Sequence, residues 1–357
     1  MTRCPLCLAE GLRPLPIALP AAMRSDGLIL DEPLAKLSCD GCGALIGANS
    51  QPSDPYRRSD GQAPGDIARH ARVAEGVAAQ IARLGLRGPV LEVGAASFQT
   101  ARHLAAALPG WRIVAVEPQP ETPPEVPGVE VHVAPFESLS FDAPFGVIYS
   151  NHVLEHVPDT RAFLGRIADA LAPDGVALLS CPCGLVPSHE LLFSDHLYHF
   201  TPRAVAVAAQ DAGLGLDESL PTPWEPLSRL FVLRRQSRPI PPPPPDLTAA
   251  RRACLAAWEG AEARLLTQLG AEPVLFGAGE FSQLIRAYLP GVHARIAAIT
   301  LDDPRGARAF DKPVVPLAGM DLRGRTVLAG VHPASVPALR RRLLERGAAA
   351  VLAVTLP

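Results

Sequence analysis

The cysteines and histidines of this chain are grouped rather than scattered. Two C-x2-C pairs, Cys4/Cys7 in "CPLC" and Cys39/Cys42 in "CDGC", stand near the start. Four thiolates in this pattern fit one tetrahedral Zn²⁺, which takes sulfur on every side and leaves no open position, so the expected site is structural. Residues 1–50 are too few to bury an adequate core, and a metal would supply the missing folding energy. A second group fills "SCPCGLVPSHELLFSDHLYHFTP", residues 180–202, which gathers His189, His196, His199, Asp195 and Tyr198. An imidazole titrates near working pH and suits proton removal. Asp195 beside His196 could orient or charge-stabilise it. His199 is a further catalytic candidate, and Tyr198 is placed to touch substrate. Cys181, Cys183 and these histidines could also make a second metal site, although small residues at a strand end account for the two cysteines well enough.

A third stretch, "VLEVGAASFQTARHL" from Val90 to Leu104, reads as the strand, turn and helix of a nucleotide-cofactor site. Glu92, Gly94 and Ala95 would lie closest to the cofactor. Ala96 and Phe98 occupy positions where a pyrophosphate would need glycine, so that amides could wrap it. S-adenosylmethionine (SAM) has no phosphate and tolerates a bulkier turn, so these residues lean away from NAD and towards SAM. Glu117 ends the next strand, "IVAVEP", where a carboxylate can accept both ribose hydroxyls. Asn151 and His152, in "SNHVLEHVPD", close a later strand at the rim of the same pocket.

These residues need a scaffold. The chain has 357 residues, enough for two or three domains, with 48% hydrophobic residues and a formal net charge of −3. Strand and helix patterns alternate through "PVLEVG", "WRIVAVEP", "VEVHVA", "FGVIYSN" and "GVALLSCP". That alternation predicts an α/β fold, a doubly wound parallel sheet with helices on both faces. Before these, "DIARHARVAEGVAAQIARLGL" places Ile67, His70, Val73, Val77, Ile81 and Leu84 on one helical face, with Asp66 as its N-cap. "RPIPPPPPD" (Arg238 to Asp246) reads as a semi-rigid polyproline spacer. Beyond it one amphipathic helix should run to Gly270, followed by a second α/β series starting at "PVLFGAGEFSQLIRAYL". The divisions are a Cys4 zinc-binding module over 1–50, a central domain over 66–236 and a C-terminal Rossmann-like domain over 246–357. No apolar run is long enough to span a bilayer. No dense basic run offers a footprint for nucleic acid, and neither a membrane nor a signal-type segment is expected. The expected location is the cytoplasm, and the oligomeric state stays open.

The phrase "VLEHV" and the tail "FLGRIADALAPDGVALLSCP" resemble class I SAM-dependent methyltransferases, over roughly Asp66 to Arg235. By this resemblance Glu92 and Gly94 lie near the methionine moiety, Glu117 on the ribose, and Phe136 and Glu137 ("APFESL") near the adenine. The whole layout resembles the zinc-containing sugar C-methyltransferases, which act on nucleotide-linked 4-keto-deoxysugars. "PLAKLSCDGCGALIG" is similar to that family's second zinc pair, and "VLFGAGEFSQLIRAYL" to its C-terminal glycine turn. Its Tyr-His-Glu-His run matches Phe193, Ser194, Asp195 and His196 here. The resemblance implies that His196 removes the proton beside a ketone, and that the enolate takes the SAM methyl group. Backbone amides near Gly277 and Gly279 would hold a nucleotide diphosphate. O- or N-methylation of another small metabolite, and a non-catalytic binding protein of the same fold, are the competing readings.

Overall fold

The computed structural model describes residues 3–51, 67–118, 125–304 and 311–355. Asp66 and most of the loop before it lie outside these. At the start, strands β1 (Leu12–Pro14), β4 (Lys36–Cys39) and β5 (Leu45–Gly47) form an antiparallel sheet, while β2 (Ala22–Met23) and β3 (Ile29–Leu30) make a separate hairpin. Gly27, at φ +91°, permits the hairpin's turn, a conformation costly for residues with a Cβ.

The middle of the chain runs α1 (Ile67–Arg83), β6 (Val90–Val93), α2 (Gln99–Ala107), β7 (Ile113–Val116), β8 (Val129–His132), β9 (Phe145–Asn151), α3 (Thr160–Ala170) and β10 (Leu171–Pro182). Then come β11 (Tyr198–His199), α4 (Pro202–Gln210), β12 (Gly215–Thr222) and β13 (Glu225–Arg234). Seven strands lie in the order β12-β13-β10-β9-β6-β7-β8. The five anticipated strands are parallel; the apolar runs of β6, β7, β9 and β10 match burial on both faces, whereas β8 (VEVH) is a half-buried edge strand. Val73, Val77, Ala101 and Leu104 pack one face from α1 and α2; Phe163, Leu164, Ile167 and Ala204 pack the other from α3 and α4. Asp159 and Thr201 cap α3 and α4 by accepting from Ala162 and Ala204 amides. The sheet is not wholly parallel, however. β13 runs antiparallel to β10, and β12 antiparallel to β13.

The C-terminal part holds α5 (Thr248–Glu259), α6 (Ala261–Gln268), β14 (Val274–Phe276), α7 (Glu280–Tyr288), α8 (Pro290–Arg295), β15 (Ala298–Leu301), β16 (Val314–Pro316), β17 (Thr326–Ala329), α9 (Val336–Glu345) and β18 (Ala350–Leu352). Its five strands are parallel, in the order β16-β15-β14-β17-β18. The single helix expected up to Gly270 is instead two, divided at Gly260, the residue with the weakest intrinsic hold on a helix apart from proline. The polyproline stretch is no free spacer either. Arg203 donates to Pro241 O at 2.7 Å, and Pro244 lies so close to Gly43 that a Cβ there would stand 2.3 Å from its ring.

Many contacts join these parts, three of them central to the site. β11 pairs with β5, which makes the residues of the histidine loop the fourth strand of the N-terminal sheet. Tyr288 of α7 accepts from Met23 N at 3.0 Å and donates to Leu192 O. Arg251 of α5, fully buried, donates to Gly43 O at 2.7 Å and Gly184 O at 3.0 Å.

Candidate functional site

Glu92 sits on β6 with its carboxylate inside the sheet face covered by α1 and α2. Burial, and then the charge of Glu117, push its carboxyl up to about 8. Its Oε2 has no hydrogen-bond donor among the described residues, nor does the buried hydroxyl of Tyr149 on the paired position of β9 have a partner. The turn that follows is tight. Gly94 and Ala95 amides both donate to Val116 O, at 2.9 and 3.1 Å. Gly94 lies at φ +77°, and a Cβ there would stand 2.3 Å from Val153 Cγ2. Ala96 and Phe98 take the same left-handed backbone, φ +47° and +60°. The turn therefore keeps a glycine-rich shape without the glycines. Glu117, just past β7, is buried and accepts from Ala96 N at 2.8 Å. Orphaned polar atoms and a carboxylate tied to a cramped turn fit a polar cofactor laid against the backbone.

The rim beside it is charged. Asn151 accepts from Trp224 Nε1 at 3.1 Å. His152, at φ +55°, is held between Glu225 Oε2 at 2.6 Å and Glu155 Oε1 at 3.1 Å. Burial alone would lower its pKa, but the two carboxylates outweigh it and raise the imidazole well above the usual range. Glu225 is paired in turn with Arg69 of α1 at 2.7 Å, and despite burial these cations bring its carboxyl down to about 2. Phe136 is packed into the core against Phe163, ring centroids 5.5 Å apart, while Glu137 is exposed.

The histidine loop follows β10, at the same carboxyl edge of the sheet. His196 is almost fully buried, and its Nδ1 faces Glu190 Oε2 at 3.3 Å. Burial, then the neighbouring His156 and His199, lower its pKa well below the usual value, so the ring is neutral at pH 7. Burial pushes Glu190 up to about 7. Asp195 does not meet His196. Its carboxylate accepts from Ser25 N and Oγ, both at 2.8 Å, and lies 3.6 Å from His156 Nδ1, which also donates to Asp195 O at 3.0 Å. His189 bonds Glu280, the first residue of α7, at 2.8 Å. Beneath the loop lies Lys36, fully buried, donating to Phe193 O at 2.6 Å and His196 O at 3.1 Å, with His199 Nε2 3.4 Å away. Burial brings its amine down to about 7. Tyr198 is buried, and its hydroxyl donates to Pro158 O at 2.9 Å.

Sequence reasoning missed Glu190, Glu155, His156, Glu225, Lys36 and Ser25. Most of these depend on tertiary neighbours. Lys36 left a signal, being one of two lysines in a chain whose 33 basic residues are otherwise arginine.

The four N-terminal thiols come together as anticipated by their spacing. Cys4 and Cys42 Sγ are 3.8 Å apart, Cys7 and Cys39 Sγ 3.5 Å, and all four lie within 4.8 Å of one another. A tetrahedron with Zn–S bonds of about 2.3 Å has edges of about 3.8 Å, so the quartet fits zinc. Cys181 and Cys183 join no ligand cluster among the described residues. In the C-terminal part, Gly277 is buried with its amide donating to Thr300 O at 2.8 Å, whereas Gly279 is exposed at the start of α7 with open space beside it.

Residues 66–219, which carry most of the seven-stranded Rossmann-like sheet, match the family described as "Methyltransferase domain". The chain is 30% identical over 119 residues to trans-aconitate 2-methyltransferase of Methylobacterium nodulans, covering 31% of this chain and 46% of that protein. It is 36% identical over 103 residues to methyltransferase str2 of Strobilurus tenacellus, covering 27% and 36%. It thus spans less than half the length of either relative. Among solved structures it is similar to the Burkholderia thailandensis 1,6-didemethyltoxoflavin-N1-methyltransferase with bound 1,6-didemethyltoxoflavin and S-adenosylhomocysteine (20% identity, TM-score 0.41, covering 54% of this chain and 96% of that one). It is also similar to the mitomycin 7-O-methyltransferase MmcR (21%, TM-score 0.39, covering 47% and 53%).

Proposed function

We propose that the chain is a SAM-dependent methyltransferase that C-methylates a nucleotide-linked keto-deoxysugar, with His196 as the base. SAM supplies an already activated methyl group, which leaves the chain to bind, orient and deprotonate. One observation carries the reading: the buried Glu190–His196 pair lies at the same carboxyl edge of the sheet as Glu117 and the Gly94 turn. A neutral His196 has a free lone pair, and the Glu190 carboxylate at 3.3 Å, which titrates at about 7, offsets the cost of the imidazolium in its ionised form. Glu92, Gly94, Ala95 and Glu117 would hold the cofactor, with Asn151 and His152 at its rim. Asp195 acts by fixing His156 and the Ser25 hairpin, and so positions the loop. The Cys4, Cys7, Cys39 and Cys42 quartet would hold structural Zn²⁺, and Gly279 offers the nucleotide its free amide edge.

A second reading has its own support. Phe193, at the position of the resembled family's tyrosine, is 1% exposed and packed in the C-terminal core, so that hydroxyl has no counterpart here. O- or N-methylation of another small metabolite also needs only the base. Methyl transfer from isotope-labelled SAM to nucleotide keto-sugars, paired with calorimetry of S-adenosylhomocysteine, decides. His196→Ala should lose methyl transfer by about 10² or more while keeping micromolar binding of S-adenosylhomocysteine. Glu117→Ala should lose both. No heat of binding to the folded protein sinks every methyltransferase reading; binding with transfer only to hydroxyl or amine acceptors favours the second.

A further inference from the structure

Glu155, His156 and His196 offer one ligand atom each within 4.8 Å of one another, a span that modest side-chain rotation closes onto a first-row ion with bonds of about 2.1 Å. Among the described residues, each of the three has a polar neighbour on one side only. Glu155 is 0% exposed, in the short turn after β9, and its Oε2 has no donor among the described residues. Its Oε1 faces His152 at 3.1 Å, but the buried Oε2 is left unmet, which is costly and favours a cation there.

The surroundings are those of a metal site. His156 donates from Nδ1 to Asp195 O at 3.0 Å, with Asp195 Oδ2 3.6 Å away, which leaves Nε2 as its lone-pair nitrogen. Asp195 is itself anchored by Ser25. Glu190 stands behind His196 in the same way, 3.3 Å from Nδ1. Each imidazole therefore has a carboxylate at its back, the arrangement that fixes the tautomer of ligating histidines. Two imidazoles and one carboxylate, with positions left open, suit a first-row divalent ion. His156, one-third exposed, gives the ion a way in.

We propose that Glu155, His156 and His196 form a divalent transition-metal site, distinct from the cysteine quartet, and that filling it silences the base. Ion and substrate proton compete for the His196 lone pair. The silencing rests on the reading of His196 as base; the binding does not.

Full-length protein with its cysteine quartet zinc-loaded is titrated with Co²⁺ alone and followed by visible absorption. One further equivalent should bind, with weak d–d bands and no intense thiolate-to-cobalt band. Glu155→Gln and His156→Gln should each weaken that equivalent by at least about tenfold, and Asp195→Asn by about 10–100-fold. Should one ligand variant fail to fold, the other carries the test. No further equivalent up to millimolar Co²⁺, a thiolate band, or unchanged binding in the folded variants overturns the site. Cobalt bound with methyl transfer undiminished overturns the silencing. Loss of S-adenosylhomocysteine binding with cobalt binding intact would count against the methyltransferase reading alone.

Discussion

Ala96 and Phe98 hold left-handed backbone in the cofactor turn, φ +47° and +60°, where a Cβ costs roughly 1–2 kcal/mol per residue. The two positions are strained alike and compensated differently. Phe98 buries its ring with Ala101 and Leu104 under α1, which returns about 2 kcal/mol. Ala96 is half-exposed and gains little. Ala96→Gly should therefore be neutral to stabilising by up to about 1 kcal/mol, because relief of strain outweighs the extra freedom of the unfolded chain. Phe98→Gly should destabilise by about 1–2 kcal/mol. Urea denaturation separates them, and equal signs for the two variants would contradict this account. The residue types in the turn were legible in the sequence. Their backbone was not, because a left-handed alanine is imposed by the strand and helix it joins.

At the scale of elements, the Arg69–Glu225–His152 chain ties α1 to the start of β13 and the end of β9. Glu225 is held at about 2 against an ordinary value near 4.3. A depressed carboxyl contributes its stability above the ordinary value and loses it as pH falls through the depressed one. The wild type should thus lose roughly 3 kcal/mol between about pH 4.5 and 2 from this group. Glu225→Gln should be weaker at pH 7 and flatter over that window, as read by denaturant midpoints. Strands β6, β7, β9 and β10 were visible as continuous apolar runs, since a parallel sheet buried on both faces demands them. β12, "GLDESLPT", is half-buried along most of its length and carries no such run. α5 and α6 share one apolar stripe, so periodicity could not reveal the break at Gly260. Glu190 escaped notice because it is brought to His196 by a turn of 3-10 helix, and no spacing rule encodes that approach.

Across the whole molecule, the N-terminal sheet is not an appendage. Its β5 edge is completed by β11, its β2–β3 hairpin touches Asp195 and Tyr288, and Lys36 underlies the histidine loop. A metal in the cysteine quartet would therefore support the proposed base from outside the residues that match the methyltransferase family. Removing it with Cys39→Ser and Cys42→Ser together should lower the melting temperature by at least about 10 °C. Methyl transfer should fall well below that temperature, because the loop loses its backing. Elemental analysis should show one zinc fewer per chain. An unchanged melting temperature with zinc absent would mean that the quartet supports nothing beyond itself.

Lys36 makes this junction open to chemical footprinting. The chain has two lysines, and Lys312 is part-exposed, bonded to Ala294 O at 3.3 Å. The Lys36 amine, held at about 7, is largely an unprotonated nucleophile just above neutrality, yet no reagent can reach it. Acylation of Lys312 then clocks the reagent itself, and acylation of Lys36 clocks the parting of the N-terminal sheet from the histidine loop, both read by mass spectrometry on one native chain.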